Sequence, residues 1–320
     1  MDKNRDCGVL GRIIAKPAKK KMREHSFLGL GPHGFHRIAY TEWGNPGNPH
    51  VVVCVHGLTR NARDFDFLAM ALESDCHVAC PDIAGRGQSD WLSHPEDYSY
   101  PVYLSDMAAL LARIGSGTRV SRFIARLLHR SSERYIDWVG TSMGGLIGMM
   151  LAAQPKSPIR RLIMNDVGPL VPADALRRLA EYVGKDYRFA SFAEFEAYVR
   201  KVSAPFGPLS DAQWRHIAIH SAMKFDDGSY GFKYDPKIGE PFKSGFFQDV
   251  DLWQYWEKVR CPVLILRGAE SDLLSRETAM IMCKREPRTE LVELPGIGHA
   301  PMLMSADQIK IVRNFLLASD

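Results

Sequence analysis

The stretch Tyr135–Gln154 has the sequence YIDWVGTSMGGLIGMMLAAQ and combines a strand pattern with a helix pattern. Tyr135–Val139 is a short apolar run that predicts a buried strand, and the end of the stretch predicts an apolar helix. Between them, Gly140–Gly144 matches the pattern Gly-x-Ser-x-Gly. A serine on such a sharp turn adopts a strained backbone conformation, so the residues two positions before and after it must be small. Both are glycines here, and Ser142 is therefore the predicted nucleophile.

The alternation of strand and helix continues on both sides of this stretch. Short apolar or β-branched runs predict further strands, and helical patterns lie between them. The predicted elements are a hairpin at Phe27–Trp43 and strands at Val51–Val55, His77–Pro81, Arg161–Asn165, Pro262–Arg267 and Glu290–Leu294. This order predicts an α/β fold with a mostly parallel central sheet of about eight strands, flanked by helices.

The alternation breaks between about Leu170 and Val250, where the pattern is helical and rich in aromatic residues. We therefore predict an α/β core at 26–170 and 251–320, with a mainly helical lid inserted at 171–250. Aromatic side chains at helical spacing belong mostly to a hydrophobic core. Together they indicate that any pocket under the lid is largely apolar.

The composition and the distribution of charge exclude several classes of protein. The chain has 320 residues, 46% of them hydrophobic, and a net charge of +4, which is typical of a globular protein. No run of apolar residues is long enough for a transmembrane helix. Residues 1–25 carry eight Lys/Arg and three acidic residues, and we predict that this segment is a disordered basic tail. The remainder is nearly neutral, so we expect no nucleic-acid partner.

Two other features bear on compartment and partners. The six cysteines are scattered and form no Cys-x-x-Cys pair, which favours a reduced, cytoplasmic protein. Segment 119–134 has an apolar helical face opposite several arginines, and we predict a surface helix with a solvated basic side. An anionic partner, a membrane surface or a second subunit, as in a homodimer, stays open for this segment.

Several motifs together resemble the α/β-hydrolase superfamily, in particular a serine esterase with a helical lid. They are His56-Gly57, Asp82–Ser89, the turn at Ser142, the loop before Asp272, and Gly298-His299. The resemblance covers about Phe35–Leu170 and Leu252–Leu317, and it places the insertion where the family has its lid. It implies a Ser-His-Asp triad in the chain order serine, acid, histidine.

The resemblance assigns the remaining roles in this sequence. His299, on a glycine-rich loop after the last strand, is the expected base for Ser142. Two acids compete to orient it, Asp272 after strand Pro262–Arg267 and Asp166 after strand Arg161–Asn165. We prefer Asp272, because its glycine-containing turn is similar to the acid loop of the family.

The resemblance also implies an oxyanion hole, a pair of backbone N–H groups that bind the negative oxygen formed during attack. Met143 N–H, directly after the nucleophile, is one expected donor, and Leu58 N–H, in the loop after Val51–Val55, is the other. Arg60 follows this loop and offers a contact for a substrate carboxylate, although a salt-bridged arginine is the preferred interpretation.

The predicted function is hydrolysis of a small-molecule carboxylic ester with a small to medium acyl chain, through an acyl-enzyme and with no cofactor or metal. Met143, where proline iminopeptidases have tryptophan, argues against that branch. Ser142, where haloalkane dehalogenases and epoxide hydrolases have aspartate, argues against those enzymes. Three alternatives stay open: carbon–carbon bond hydrolysis as in meta-cleavage product hydrolases, a ligand receptor on the same fold, and acyl transfer to another acceptor.

Overall fold

The computed structural model describes residues 22–115 and 134–318. The first strand begins at Arg23, so the last residues of the predicted tail 1–25 belong to the sheet. Residues 1–21 of that tail lie outside the described residues. So does the predicted arginine-rich helix at 119–134, apart from Arg134.

Twelve strands form the sheets of the described residues, and eight of them make the central sheet. The strands are β1 (Arg23–Gly31), β2 (Gly34–Trp43), β3 (His50–Val55), β4 (His77–Pro81), β5 (Tyr135–Thr141), β6 (Ile159–Asn165), β7 (Leu170–Val171), β8 (Ala222–Lys224), β9 (Tyr230–Phe232), β10 (Val250–Asp251), β11 (Val263–Gly268) and β12 (Thr289–Leu294). The central sheet has the order β1-β2-β4-β3-β5-β6-β11-β12. β2 pairs antiparallel with β1 and β4, and all other pairs are parallel.

The buried strands explain the parallel arrangement. Every residue of β3, β4 and β11 is buried, because helices cover both faces of the sheet. β-Branched side chains such as those of Val51–Val53 pack well on such a surface. The predicted mostly parallel, helix-flanked sheet is thereby confirmed.

Helices alternate with the strands of the core and also fill the inserted segment. They are α1 (Asp66–Leu72), α2 (Tyr100–Gly115), α3 (Met143–Ala152), α4 (Ala173–Ala180), α5 (Phe192–Val202), α6 (Asp211–Ser221), α7 (Trp253–Trp256), α8 (Arg276–Lys284) and α9 (Ala306–Leu316). Short 3-10 helices occur at Ala62–Phe65, Pro95–Asp97, Ala204–Phe206 and Pro236–Phe242. Over the described residues, none of the helices combines the length and hydropathy that crossing a membrane requires.

Residues 172–249, which we call the insertion, leave and rejoin the core at one point. There β7 and β10 pair antiparallel, with Val171 opposite Val250. The insertion contains α4, α5, α6 and the small β8–β9 sheet. Phe195, Val199 and Ile217 form a hydrophobic cluster between α5 and α6 that the core residues Met302 and Met304 join. The insertion therefore has its own packing and also rests on the loop after β12.

Trp138 is the largest fully buried side chain of β5, the strand that leads to Ser142. Its indole N–H donates to the Gly144 carbonyl at 3.0 Å. We predict that Trp138→Ala lowers the free energy of unfolding by about 3–5 kcal/mol, because it leaves a large cavity. Urea unfolding measures this loss. The matched control is Trp91→Ala at a site that is 45% exposed, with an expected change below about 0.5 kcal/mol. Equal effects at both positions would contradict the prediction.

Candidate active site

Ser142 lies on the sharp turn between β5 and α3, with φ 51° and ψ −118°. A positive φ is unusual for a residue with a Cβ, and it persists only where the surroundings impose it. The turn depends on its two glycines. A Cβ on Gly140 would lie 2.2 Å from the Gly144 carbonyl oxygen, and a Cβ on Gly144 would lie 2.1 Å from that of Val55. This tight packing presents Ser142 at the carboxyl end of the parallel strands.

The structure brings Ser142 and His299 together, although 157 positions separate them in the chain. The Ser142 hydroxyl donates to His299 Nε2 at 3.0 Å. On the other side of the ring, His299 Nδ1–H donates to Asp166 Oδ2 at 2.8 Å. The side chain of His299 is 12% exposed and that of Asp166 is fully buried. A hydroxyl, an imidazole and a buried carboxylate thus form one hydrogen-bonded row.

Asp166 occupies this position because it directly follows β6, beside the end of β11. Its Oδ1 accepts the Gly268 N–H at 2.8 Å, and its Oδ2 accepts the Ser271 hydroxyl at 2.6 Å. The backbone of Asp166 has φ 56°, an unusual value that turns the carboxylate towards these donors. Each hydrogen bond to a charged group is worth about 1.5–3 kcal/mol and offsets the cost of burying the carboxylate.

The preference for Asp272 as the partner of His299 is wrong in this geometry. Asp272 lies beyond the turn after β11, its side chain is 50% exposed, and it forms an ion pair with Arg178 of α4. Arg178 Nη2 donates to its Oδ1 at 3.1 Å. The turn after β11 instead supplies Gly268 N–H and Ser271 Oγ to Asp166. Both acids follow adjacent strands of the sheet. Only Asp166 accepts these hydrogen bonds, and it is therefore the carboxylate beside His299.

The loop after β3 lies directly beside Ser142. A Cβ on Gly57 would be 3.5 Å from the Ser142 Cβ. The buried Arg86 holds this loop, since its Nε donates to the Leu58 carbonyl at 2.8 Å and its Nη1 to the Ala84 carbonyl at 2.6 Å. Both expected oxyanion donors, Leu58 and Met143, therefore belong to segments that adjoin Ser142. Met143 is the first residue of α3, where backbone N–H groups have no partner inside the helix.

His56 fixes the other end of this loop and is fully buried. Its Nδ1–H donates to the Gly57 carbonyl at 2.7 Å, and its Nε2 accepts the Ile83 N–H at 3.0 Å. Burial lowers the pKa of His56 to about 4. The ring is therefore neutral at neutral pH, as its acceptor role at Nε2 requires. His56 supports the loop and lies outside the row of Ser142 and His299.

A cavity of about 130 Å³ lies next to Ser142 and His299. Residues of the insertion make up much of its wall. These residues are Arg178, Leu179, Tyr182, Tyr187, Tyr198, Val202, Ser203, Pro205, Phe206, Phe232 and Tyr234. The wall thus combines apolar surface with several phenol groups. Of the aromatic residues of the insertion, Phe195 instead packs between α5 and α6, and Phe246 is exposed.

Two arginines line this cavity, and both have acidic partners. Arg60 Nε donates to Asp64 Oδ2 at 2.8 Å, and its Nη1 donates to Ser221 Oγ at 3.0 Å. Arg60 is therefore salt-bridged, which agrees with the preferred interpretation of this residue. Arg178 pairs with the exposed Asp272, where α4 meets the core. Arg178 lines the cavity because α4 packs against the turn after β11. Sequence spacing does not predict this contact.

The fold and the site define a class of protein. The sequence pattern of the alpha/beta hydrolase family matches residues 52–309. The chain therefore belongs to this family, as its motifs imply, and it is a hydrolase of this fold.

Particular relatives span almost the whole chain. The 3-hydroxybutyrate-oligomer hydrolase of Cupriavidus necator is 44% identical over 294 residues, which cover 89% of this chain and 94% of the relative. The crystal structure of an alpha/beta hydrolase from Novosphingobium aromaticivorans superimposes with a TM-score of 0.77 at 35% identity, covering 94% of this chain and 99% of the other. A protein from Rickettsia typhi has a TM-score of 0.82 at 28% identity, with 94% and 100% coverage.

We predict that the neutral state of His56 makes stability depend on pH. Below about pH 6.5 the unfolded chain binds a proton that the folded chain excludes until about pH 4, so the free energy of unfolding falls as the pH decreases through this range. His56→Gln, which cannot titrate, should show a shallower decrease. Urea unfolding of both proteins from pH 7.5 to pH 4 isolates the contribution of His56, and identical pH dependence would contradict the prediction.

Proposed function

We propose that this protein is a carboxylesterase in which Ser142, His299 and Asp166 form the catalytic triad. The observation that carries the proposal is the hydrogen-bonded row of these side chains beside a cavity. Ser142 is the nucleophile and His299 takes its proton. Asp166 holds the imidazole in the tautomer that leaves Nε2 available, and it stabilises the imidazolium that forms.

The reaction then proceeds through an acyl-enzyme. Ser142 Oγ attacks the ester carbonyl carbon, and the carbonyl oxygen becomes an oxyanion that the N–H groups of Leu58 and Met143 bind. His299 returns its proton to the leaving alcohol as the ester C–O bond breaks. It next takes a proton from water as the water oxygen attacks the acyl carbon. The bond from that carbon to Ser142 Oγ then breaks, His299 returns the proton to Oγ, and the free acid leaves.

We propose esters of short hydroxy acids as the substrate class. The relative at 44% identity is named a 3-hydroxybutyrate-oligomer hydrolase, which supports this choice. The cavity wall also supports it, because Tyr182, Tyr198 and Tyr234 offer phenol groups to a substrate hydroxyl. A volume of about 130 Å³ suits a short acyl chain. The insertion acts here as the lid that shapes the acyl site.

We predict that Asp166→Asn lowers kcat for p-nitrophenyl butyrate by about 10³–10⁴-fold, because the amide no longer holds His299 in the required tautomer. Ser142→Ala should reduce hydrolysis by at least as much. The matched control is Asp272→Asn, which removes only an exposed ion pair and should stay within about fivefold of wild type. Initial rates with the purified proteins test the set.

The opposite result, a large loss in Asp272→Asn with an active Asp166→Asn, would overturn the assignment of the acid. Wild-type hydrolysis of the ester that is no faster than that of Ser142→Ala would overturn the esterase itself. Carbon–carbon bond hydrolysis and ligand binding without turnover would then take its place.

We also predict that the acyl site recognises the hydroxyl group of its substrate. The linear dimer of 3-hydroxybutyrate should have a kcat/KM about tenfold above that of O-butyryl-3-hydroxybutyrate, which differs only in lacking the acyl-side hydroxyl, since one net hydrogen bond is worth about 1–1.5 kcal/mol. Titration of the released acid measures both reactions. Equal values for the two esters would refute the proposed substrate class and leave the triad unaffected.

A further inference from the structure

Three potential metal ligands meet where the insertion rests on the core. His216 and His220 are four residues apart in α6, so their side chains project from the same side of the helix. Their ring centroids are 4.4 Å apart. Asp66, the first residue of α1, faces them and is only 3% exposed. The cavity at Ser142 is lined by other residues of the described chain.

The donor atoms of the three side chains are close enough to approach one ion. All of them lie within 4.8 Å of one another, and His216 Nε2 is 3.5 Å from Asp66 Oδ2. Zinc binds imidazole nitrogen and carboxylate oxygen at about 2.0–2.2 Å in tetrahedral geometry, so two ligands of one ion lie about 3.3–3.6 Å apart. The distance between His216 Nε2 and Asp66 Oδ2 already has this value, and a contraction of up to about an ångström would bring the other donor pairs into range.

A cation already occupies part of this position. The guanidinium of Arg63 donates from Nε to both oxygens of Asp66, at 3.0 and 2.8 Å. The Arg63 carbonyl accepts the His216 Nε2–H at 2.9 Å. Arg63 also lines a second cavity of about 520 Å³, which gives its side chain room to leave Asp66. In the tautomer with its proton on Nδ1, His216 offers the lone pair of Nε2 to an ion.

His220 is available as a ligand from the same cavity. Its imidazole makes no hydrogen bond within the described residues, although the ring lines the cavity wall. An ion that enters the cavity therefore meets an imidazole nitrogen without another partner.

We propose that Asp66, His216 and His220 bind a divalent transition-metal ion of the zinc type, which displaces the Arg63 guanidinium from Asp66. Two imidazole nitrogens and one carboxylate oxygen suit such ions and leave a fourth position for water. No sequence motif marks this group, since Asp66 is distant in sequence from the two histidines of α6.

The ion would brace the insertion against the loop beside Ser142. Asn61 Nδ2 already donates to the His220 carbonyl at 3.1 Å, and Arg60 Nη1 donates to Ser221 Oγ. A bound ion adds a direct link between α6 and α1 to these contacts. Because it binds the folded state, it should raise the melting temperature as its concentration increases.

The test is calorimetric titration of the full chain with Zn²⁺ at pH 7.5, alongside thermal unfolding. We expect one ion per chain and a rise in Tm, and we expect His216→Gln and His220→Gln each to weaken Kd by at least about tenfold. The matched control is His94→Gln in the exposed group His33, His94 and Glu96, which should leave Kd unchanged. Circular dichroism verifies that each variant is folded.

A further variant, Arg63→Gln, tests whether the ion and the Arg63 guanidinium compete for Asp66. Arg63→Gln removes the competing cation, so it should lower Tm without metal and strengthen Zn²⁺ binding by about tenfold, the value of roughly one hydrogen-bonded charge contact. The proposal fails if neither histidine variant of α6 weakens binding, if only His94→Gln does, or if Arg63→Gln weakens binding.

Discussion

The buried carboxylate of Asp166 connects segments that lie more than a hundred residues apart in the chain. It accepts hydrogen bonds from the Gly268 N–H and the Ser271 hydroxyl in the turn after β11, and from His299 Nδ1–H in the loop after β12. A fully buried carboxylate is stable only with such donors, so the position of Asp166 depends on β6 and β11 being neighbours. Through His299 the same contacts set the orientation of the group that faces Ser142. The arrangement of Ser142, His299 and Asp166 therefore depends on the strand order of the central sheet.

Much of the core could be predicted because local patterns determine it. The apolar run Val51–Val55 and the glycines around Ser142 carry their structural meaning within a few residues. The choice between Asp166 and Asp272 could not be predicted in this way, because both acids follow strands that end at the same edge of the sheet. The positive φ of Asp166 and its donors from the turn after β11 decide between them. These are long-range contacts, which no pattern around either acid contains.

In the insertion, too, the elements with local sequence patterns could be predicted, and those that depend on long-range contacts could not. Helices α5 and α6 follow helical patterns in the sequence, and Ser191 and Ser210 cap their first turns. The short strands of the β7–β10 and β8–β9 pairs are too brief to show a period of two. Tyr234 and Phe232, which line the cavity, come from this irregular part. Their approach to Ser142 depends on how the insertion packs on the core.

Covalent trapping with a fluorophosphonate, followed by peptide mass mapping, determines whether Ser142 is an activated nucleophile. An activated serine reacts with this reagent, whereas an ordinary serine hydroxyl does not. We expect one adduct per chain on Ser142, formed rapidly by wild type and slowly when Asp166 is replaced by asparagine. An adduct on another residue, or equal labelling rates for the two proteins, would contradict this expectation.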